Sequence, residues 1–118
     1  MVFDVVRGDG VDHDLDLIFE FLIKSVREFG EDGQRAFILA EQRLAEIESA
    51  MRSLGEAPYQ GTLRPHLGKR IRNVTKGRAV LYFDVDDHQH RVRILAIFFG
   101  GQDHEARILA RLLIVTEN

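Results

Sequence analysis

The sequence predicts an α+β fold, an antiparallel sheet packed on an N-terminal helical hairpin, in the order β-α-α-β-β-β-α. Three observations predict it. Apolar residues recur at helical spacing through two adjoining stretches, 12–29 and 32–54. From residue 69 onward the period drops to two, in three runs joined by short turns. The 118 residues show neither an internal repeat nor a composition break, so positions 1–118 read as a single domain.

The elements follow in order. Residues 2–6 are a β-branched run closed by Arg7-Gly8-Asp9-Gly10, a strand and its turn. Leu15, Ile18, Phe19, Leu22, Val26 and Phe29 then form the apolar stripe of a first helix. Asp12, Asp14 and Asp16 occupy its first turns, where the helix dipole favours negative charge. Gly30 suits a left-handed cap at its end. Asp32 is the natural N-cap of the second helix, whose stripe is Phe37, Ala40, Leu44, Ile47, Met51 and Leu54 and whose expected stop is Gly55. A connection this short forces the two helices into an antiparallel pair.

Residues 56–67 hold both prolines and read as a long loop, the kind that often contacts partners. Strands are expected over 69–74, 78–85 and 91–99, and a closing helix over 104–115. The three strands form an antiparallel meander, because their connections are too short for a parallel crossover. Alternation places Ile71, then Ala79, Leu81, Phe83 and Val85, then Val92, Ile94, Ala96 and Phe98 toward the hairpin. The opposite face receives Arg70, Arg72, Arg78, Val80, Tyr82, Asp84, Arg91, Arg93, Leu95, Ile97 and Phe99. That face is half basic and half apolar, so the closing helix or a partner must cover part of it.

Composition narrows the function. Hydrophobic residues at 45% and charged residues at 30% are ordinary for a folded soluble domain. Cysteine is absent, which excludes disulfides, thiolate metal sites and thiol nucleophiles. No stretch approaches the roughly 18 apolar residues that span a bilayer, and the N-terminus lacks the basic start of a secretory signal. A cytoplasmic protein without membrane contact is expected. The net charge of −3 argues against bulk nucleic-acid binding. Charge is nevertheless segregated: residues 1–63 carry 13 Asp+Glu against 6 Lys+Arg, whereas residues 64–93 carry 8 Lys+Arg against 3 Asp. Either the halves pair internally, or the sheet meets something anionic.

A basic strand, the turn glycine Gly77, Tyr82, the acidic turn at Val85-Asp86-Asp87, the strand through residues 94–97, and Gly100 with Asp103 follow one another within "KRIRNVTKGRAVLYFDVDDHQHRVRILAIFFGGQDHE". In that order they resemble the RelE/ParE superfamily of bacterial type II toxin–antitoxin (plasmid stabilisation) toxins. The resemblance covers nearly the whole chain and is strongest over that stretch. RelE-like members cleave mRNA on the ribosome with cations of the sheet, while ParE-like members lack that set and poison DNA gyrase. Arg70 and Arg72 stand where the nuclease lysines fall. Ala79 and Gln102 replace two arginines, Phe99 replaces a histidine, and the "LLIVTEN" tail has no tyrosine.

Cleavage through the 2′-hydroxyl needs a base, an acid and a cation over the developing phosphorane charge. Arginine supplies only the cation. The resemblance therefore implies a toxin closer to ParE, which arrests growth by inhibiting gyrase without chemistry of its own and is neutralised by a cognate antitoxin. The expected contact residues for target or antitoxin are Lys69, Arg70, Arg72, Arg78, Tyr82, Arg91, Arg93 and Phe99. The alternatives are a ribosome-dependent mRNA endonuclease, with Arg70, Arg72, Arg78 and His104 as candidate catalytic residues, and a non-toxic member retaining only antitoxin binding. No cofactor and no metal is expected: His88 and His90 share one turn, but a metal needs further ligands than the nearby Asp86 and Asp87.

Overall fold

The computed structural model describes residues 2–30, 32–100 and 104–116, the last helix's side chains as far as Leu113. Strand β1 (Asp4–Arg7) leads into α1 (Val11–Glu28) and α2 (Gly33–Glu56). Strands β2 (Thr62–Leu63), β3 (Ile71–Lys76), β4 (Ala79–Asp86) and β5 (Arg91–Phe99) follow, and α3 (His104–Thr116) closes the chain. The sheet order is β1-β5-β4-β3-β2.

Both helices of the hairpin start as their residues dictate. Gly10 takes a left-handed conformation, φ 89°, that turns β1 into α1, and the Asp32 carboxylate accepts the Arg35 N–H at 2.8 Å as the N-cap of α2. The main core lies between this hairpin and one sheet face. Val11, Leu15, Ile18, Ile47, Met51 and Leu54 pack there against Leu81, Phe83, Val85, Val92 and Ile94. Each such side chain, once buried, contributes about 1.5–3 kcal/mol. The stripe of α1 ends before Phe29, which caps the helix in full exposure.

Four expectations are corrected. The sheet is mixed, because β1 pairs in parallel with β5 (Asp4 opposite Arg91, Arg7 opposite Ile94) at the meander's edge. The long loop contains β2, a two-residue strand on β3 that is too short for periodicity to reveal. Gly55 does not stop α2: it lies inside the helix, where the Phe3 N–H donates to its carbonyl at 2.8 Å. A Cβ there would sit 2.5 Å from the Phe3 carbonyl oxygen, so the glycine serves close approach of β1 rather than termination.

The fourth correction concerns the sheet faces. Tyr82 pairs with Ala96 but Phe83 pairs with Ile94, leaving Leu95 as an extra residue in β5. This β-bulge inverts the alternation beyond it. Ile97 and Phe99 turn into the hairpin core, and Ala96 and Phe98 turn to the other face. There Tyr82, Ala96, Phe98 and Ile108 form a second small cluster beneath α3. The closing helix thus covers the apolar end of the outer face and leaves the basic end open.

Candidate functional site

The basic end of the outer face is a hollow of about 210 Å³ lined by Arg70, Asp84, Asp86, Gln89, Arg91 and Arg93. Strand β3 begins only at Ile71, so Lys69 and Arg70 belong to the turn before it and not to a strand. The Val85 N–H donates to the Arg70 carbonyl at 3.2 Å and fixes that turn against the end of β4. The Arg70 guanidinium reaches across the floor. Its Nη2 donates to Asp84 Oδ2 at 3.1 Å, and its Nη1 lies 3.5 Å from Asp86 Oδ2. Its Nε also lies 3.1 Å from Asp84 Oδ1, close enough for an ion pair but without hydrogen-bond alignment.

Asp86 Oδ1 accepts the Gln89 backbone N–H at 3.1 Å. That bond, followed by the Arg70 charge, outweighs desolvation and holds the Asp86 carboxyl below its ordinary value of 3.8. Asp84 and Asp86 stand directly opposite Arg93 and Arg91 in the β4–β5 register, on the same face. Both carboxylates are nevertheless turned to Arg70. Among the described residues, Arg91 and Arg93 have no ion-pair partner, and the Arg91 Nε is buried without an acceptor.

The other expected residues lie elsewhere. Arg72 pairs with Phe83, so it points to the hairpin side while Ile71 takes the face of Asp84, the reverse of the expected order. Its Nη1 donates to the Tyr59 carbonyl at 2.9 Å and its guanidinium lies 5.7 Å from the Tyr59 ring, fastening the loop to the sheet. The Tyr59 hydroxyl donates in turn to the Asp87 carboxylate. Arg78 sits at the opposite end of the sheet, its guanidinium 5.2 Å from the Phe99 ring. Phe99 itself is 7% exposed and Tyr82 1% exposed. Both are core residues, so their assignment as contact residues is corrected: the bulge carries Phe99 inward and α3 covers Tyr82.

The nuclease candidates do not converge. His104 Nε2 lies 3.2 Å from the Gly100 carbonyl oxygen and its ring 5.5 Å from Phe98, beyond the far end of β5. The contacts of His104, with Gly100 and Phe98, and those of Arg70, with Asp84 and Asp86, share no residue. Gln102 and Asp103, which also entered the family comparison, lie outside the described residues. Among the described residues no group of three or more His, Cys, Asp or Glu is arranged to hold a metal ion, and no helix is long and apolar enough to cross a membrane.

Sequence reasoning missed a polar node. Asp14, expected in the first turns of α1 as a partner of the helix dipole, is 6% exposed. It accepts from Arg111 of α3, Nη2 to Oδ1 at 2.6 Å and Nη1 to Oδ2 at 3.1 Å. Its Oδ2 also accepts the Ile97 N–H at 3.1 Å, and Arg111 Nη1 donates to the Leu95 carbonyl at 3.0 Å. The pair thereby satisfies the β5 edge that β1 no longer covers. The available signal was position: Asp14 falls three residues after Val11 and four before Ile18, on the buried stripe of α1.

A helical hairpin, a bent mixed sheet and a closing helix with an open basic hollow define a small toxin fold of the RelE/ParE superfamily. The chain belongs to the ParE toxins of type II toxin–antitoxin systems (parDE), whose family model matches residues 14–104. The structure is similar to one described as the chromosomal ParDE toxin–antitoxin system of P. aeruginosa, with a TM-score of 0.65 at 18% identity over 85% of this chain and 98% of that one. It is also similar to the RelBE2 toxin–antitoxin complex of Mycobacterium tuberculosis, TM-score 0.53 and 17% identity, covering 84% of this chain and 99% of that one. A doubly substituted E. coli toxin RelE in the free state gives 0.51 and 13%, over 96% of both chains. No curated protein matches the sequence.

Proposed function

We propose that this ParE-family chain arrests growth by binding DNA gyrase in the cytoplasm, performs no chemistry of its own, and is neutralised by a cognate antitoxin. The observation that carries the non-enzymatic reading is the scattering of the candidate nuclease residues. Arg70 is tied to Asp84 and Asp86, Arg72 to Tyr59, Arg78 to Phe99, and His104 lies beyond the far end of β5. These four candidates therefore do not place an acid and a base beside one shared cation, as phosphodiester cleavage requires. Family membership supports gyrase as the target, and the ParDE and RelBE2 structures, described as toxin–antitoxin assemblies, support an antitoxin partner.

Controlled expression tests the reading. Growth arrest with an SOS response and intact transcripts is expected, together with inhibition of supercoiling by purified gyrase. Rapid loss of translated mRNA overturns it in favour of the endonuclease, and unimpeded growth in favour of a member that only binds antitoxin. Co-expression with the protein of the adjoining reading frame is expected to restore growth.

A further inference from the structure

We infer that the hollow at the basic end of the sheet is a receptor for a pair of carboxylates on an acidic segment of a partner protein, with Arg91 and Arg93 as the receiving groups. The inference rests on the reading that this chain has a protein partner, and it separates the cations that are free to meet one from those that are not. Arg70, Arg72 and Arg78 are each committed within the chain: to Asp84 and Asp86, to Tyr59, and to Phe99. Arg91 and Arg93 are different. Their cross-strand neighbours are Asp86 and Asp84, the arrangement that ordinarily forms ion pairs. Arg70 takes both carboxylates instead.

Three features of the hollow bear on what it can receive. Arg70 offsets one of the floor's two negative charges, and Arg91 and Arg93 bring the lining to a net charge of +1. The Arg91 Nε–H is left buried without an acceptor, so that side chain holds an unmet donor within the chain. Two guanidinium groups also stand two residues apart on one strand face, their Cα atoms roughly 6.6 Å from each other. Carboxylates at alternate positions of an extended segment, or one turn apart on a helix, match that spacing. The guanidinium fork takes a carboxylate through two parallel hydrogen bonds. Asp4, opposite Arg91 on β1, is exposed and pairs with neither arginine.

A nucleic acid suits the hollow less well. Single-stranded binding relies on exposed aromatic rings for base stacking, and the aromatics of this face, Tyr82 and Phe98, are buried. A space of about 210 Å³ admits a side-chain head group or two.

The test is an NMR titration of the full-length ¹⁵N-labelled protein, reading the arginine Nε–Hε signals. The probes are acetyl-tetraglutamyl amide, acetyl-tetraglutaminyl amide and tetrauridylate at matched ionic strength. The glutamyl peptide is expected to shift the Arg91 and Arg93 signals saturably and to leave those of Arg72 and Arg78 in place. Arg93→Gln is expected to weaken the effect at least about fivefold, and Arg93→Lys to restore part of it. An equal response to the glutaminyl peptide overturns the inference, as does an equal movement of all the arginines. Tighter binding of tetrauridylate overturns it in favour of a nucleic-acid surface. Growth arrest is read separately: a toxic chain with silent Arg91 and Arg93 signals loses the docking site but keeps the proposed function, and a non-toxic chain with the specific shifts does the reverse.

Discussion

Asp14 near the start of α1 and Arg111 in α3 clasp each other across the edge of β5, with contacts of 2.6 and 3.1 Å. The pair stands where the bulge at Leu95 and the end of β1 together deprive the strand of a backbone neighbour. It replaces the missing strand with one carboxylate and one guanidinium. Through it, three elements distant in sequence share one polar joint.

Removing one member therefore leaves the other charged and poorly solvated. Asp14→Ala is expected to destabilise the fold by about 3 kcal/mol, the lower end for breaking a buried pair because the Arg111 side chain stays 20% exposed. Urea unfolding measures it. A loss under about 1 kcal/mol would show that water substitutes freely for the carboxylate.

Two glycine replacements in one helix should act in opposite directions. Gly55→Ala drives a methyl group to 2.5 Å from the Phe3 carbonyl oxygen, so β1 must shift and thermal stability must fall. Gly33→Ala, at the start of α2, meets nothing within 4 Å. It should raise stability by about 0.4–1 kcal/mol by restricting the unfolded chain. Paired melting curves compare them directly.

Phe99→Ala tests the inverted alternation. A core ring of this size costs about 3–5 kcal/mol when truncated, whereas an exposed contact residue costs almost nothing. A melting temperature unchanged by the substitution would place Phe99 back on the surface and remove the bulge from the account.

Acid stability should carry the signature of Asp86. Its folded-state pKa is depressed, so the ionised form favours folding. That contribution is complete above the ordinary value of 3.8 and disappears as pH falls through the lower folded value. Asp86→Asn should thus be less stable than the parent near neutrality, and the two denaturation midpoints should converge below about pH 3.8. A constant gap down to the acid limb would assign the difference to something other than ionisation.

Much of the fold was legible because periodicity reports burial on one side of an element. The two helices of the hairpin each bury one apolar stripe, β4 and the start of β5 keep the expected alternation as far as the bulge, and Asp32 is an N-cap in chemistry as well as position. Periodicity could not foresee Leu95, since a single added residue looks like ordinary alternation until a partner strand shows that it is unpaired. Nor could it reveal that β1 lies parallel to β5, a pairing between opposite ends of the chain. The charged hollow was legible as composition and not as geometry. The arginines of residues 70–93 announce a basic region, but which of them are already occupied depends on Arg70 leaving the strand and reaching both aspartates.

The β1–β5 pairing also bears on when the protein becomes competent. The first strand is synthesised at the outset, yet its neighbour spans Asp4 to Arg7 only through positions 91–94. A ribosome must release the chain through residue 94 before that edge can close, and until then the apolar stripe of the hairpin lacks β5, against which it packs. Nascent chains arrested before residue 91 should therefore remain protease-sensitive throughout. The sheet of this ParE-family chain thus cannot close until residue 94 has left the ribosome, an order of events written into its topology.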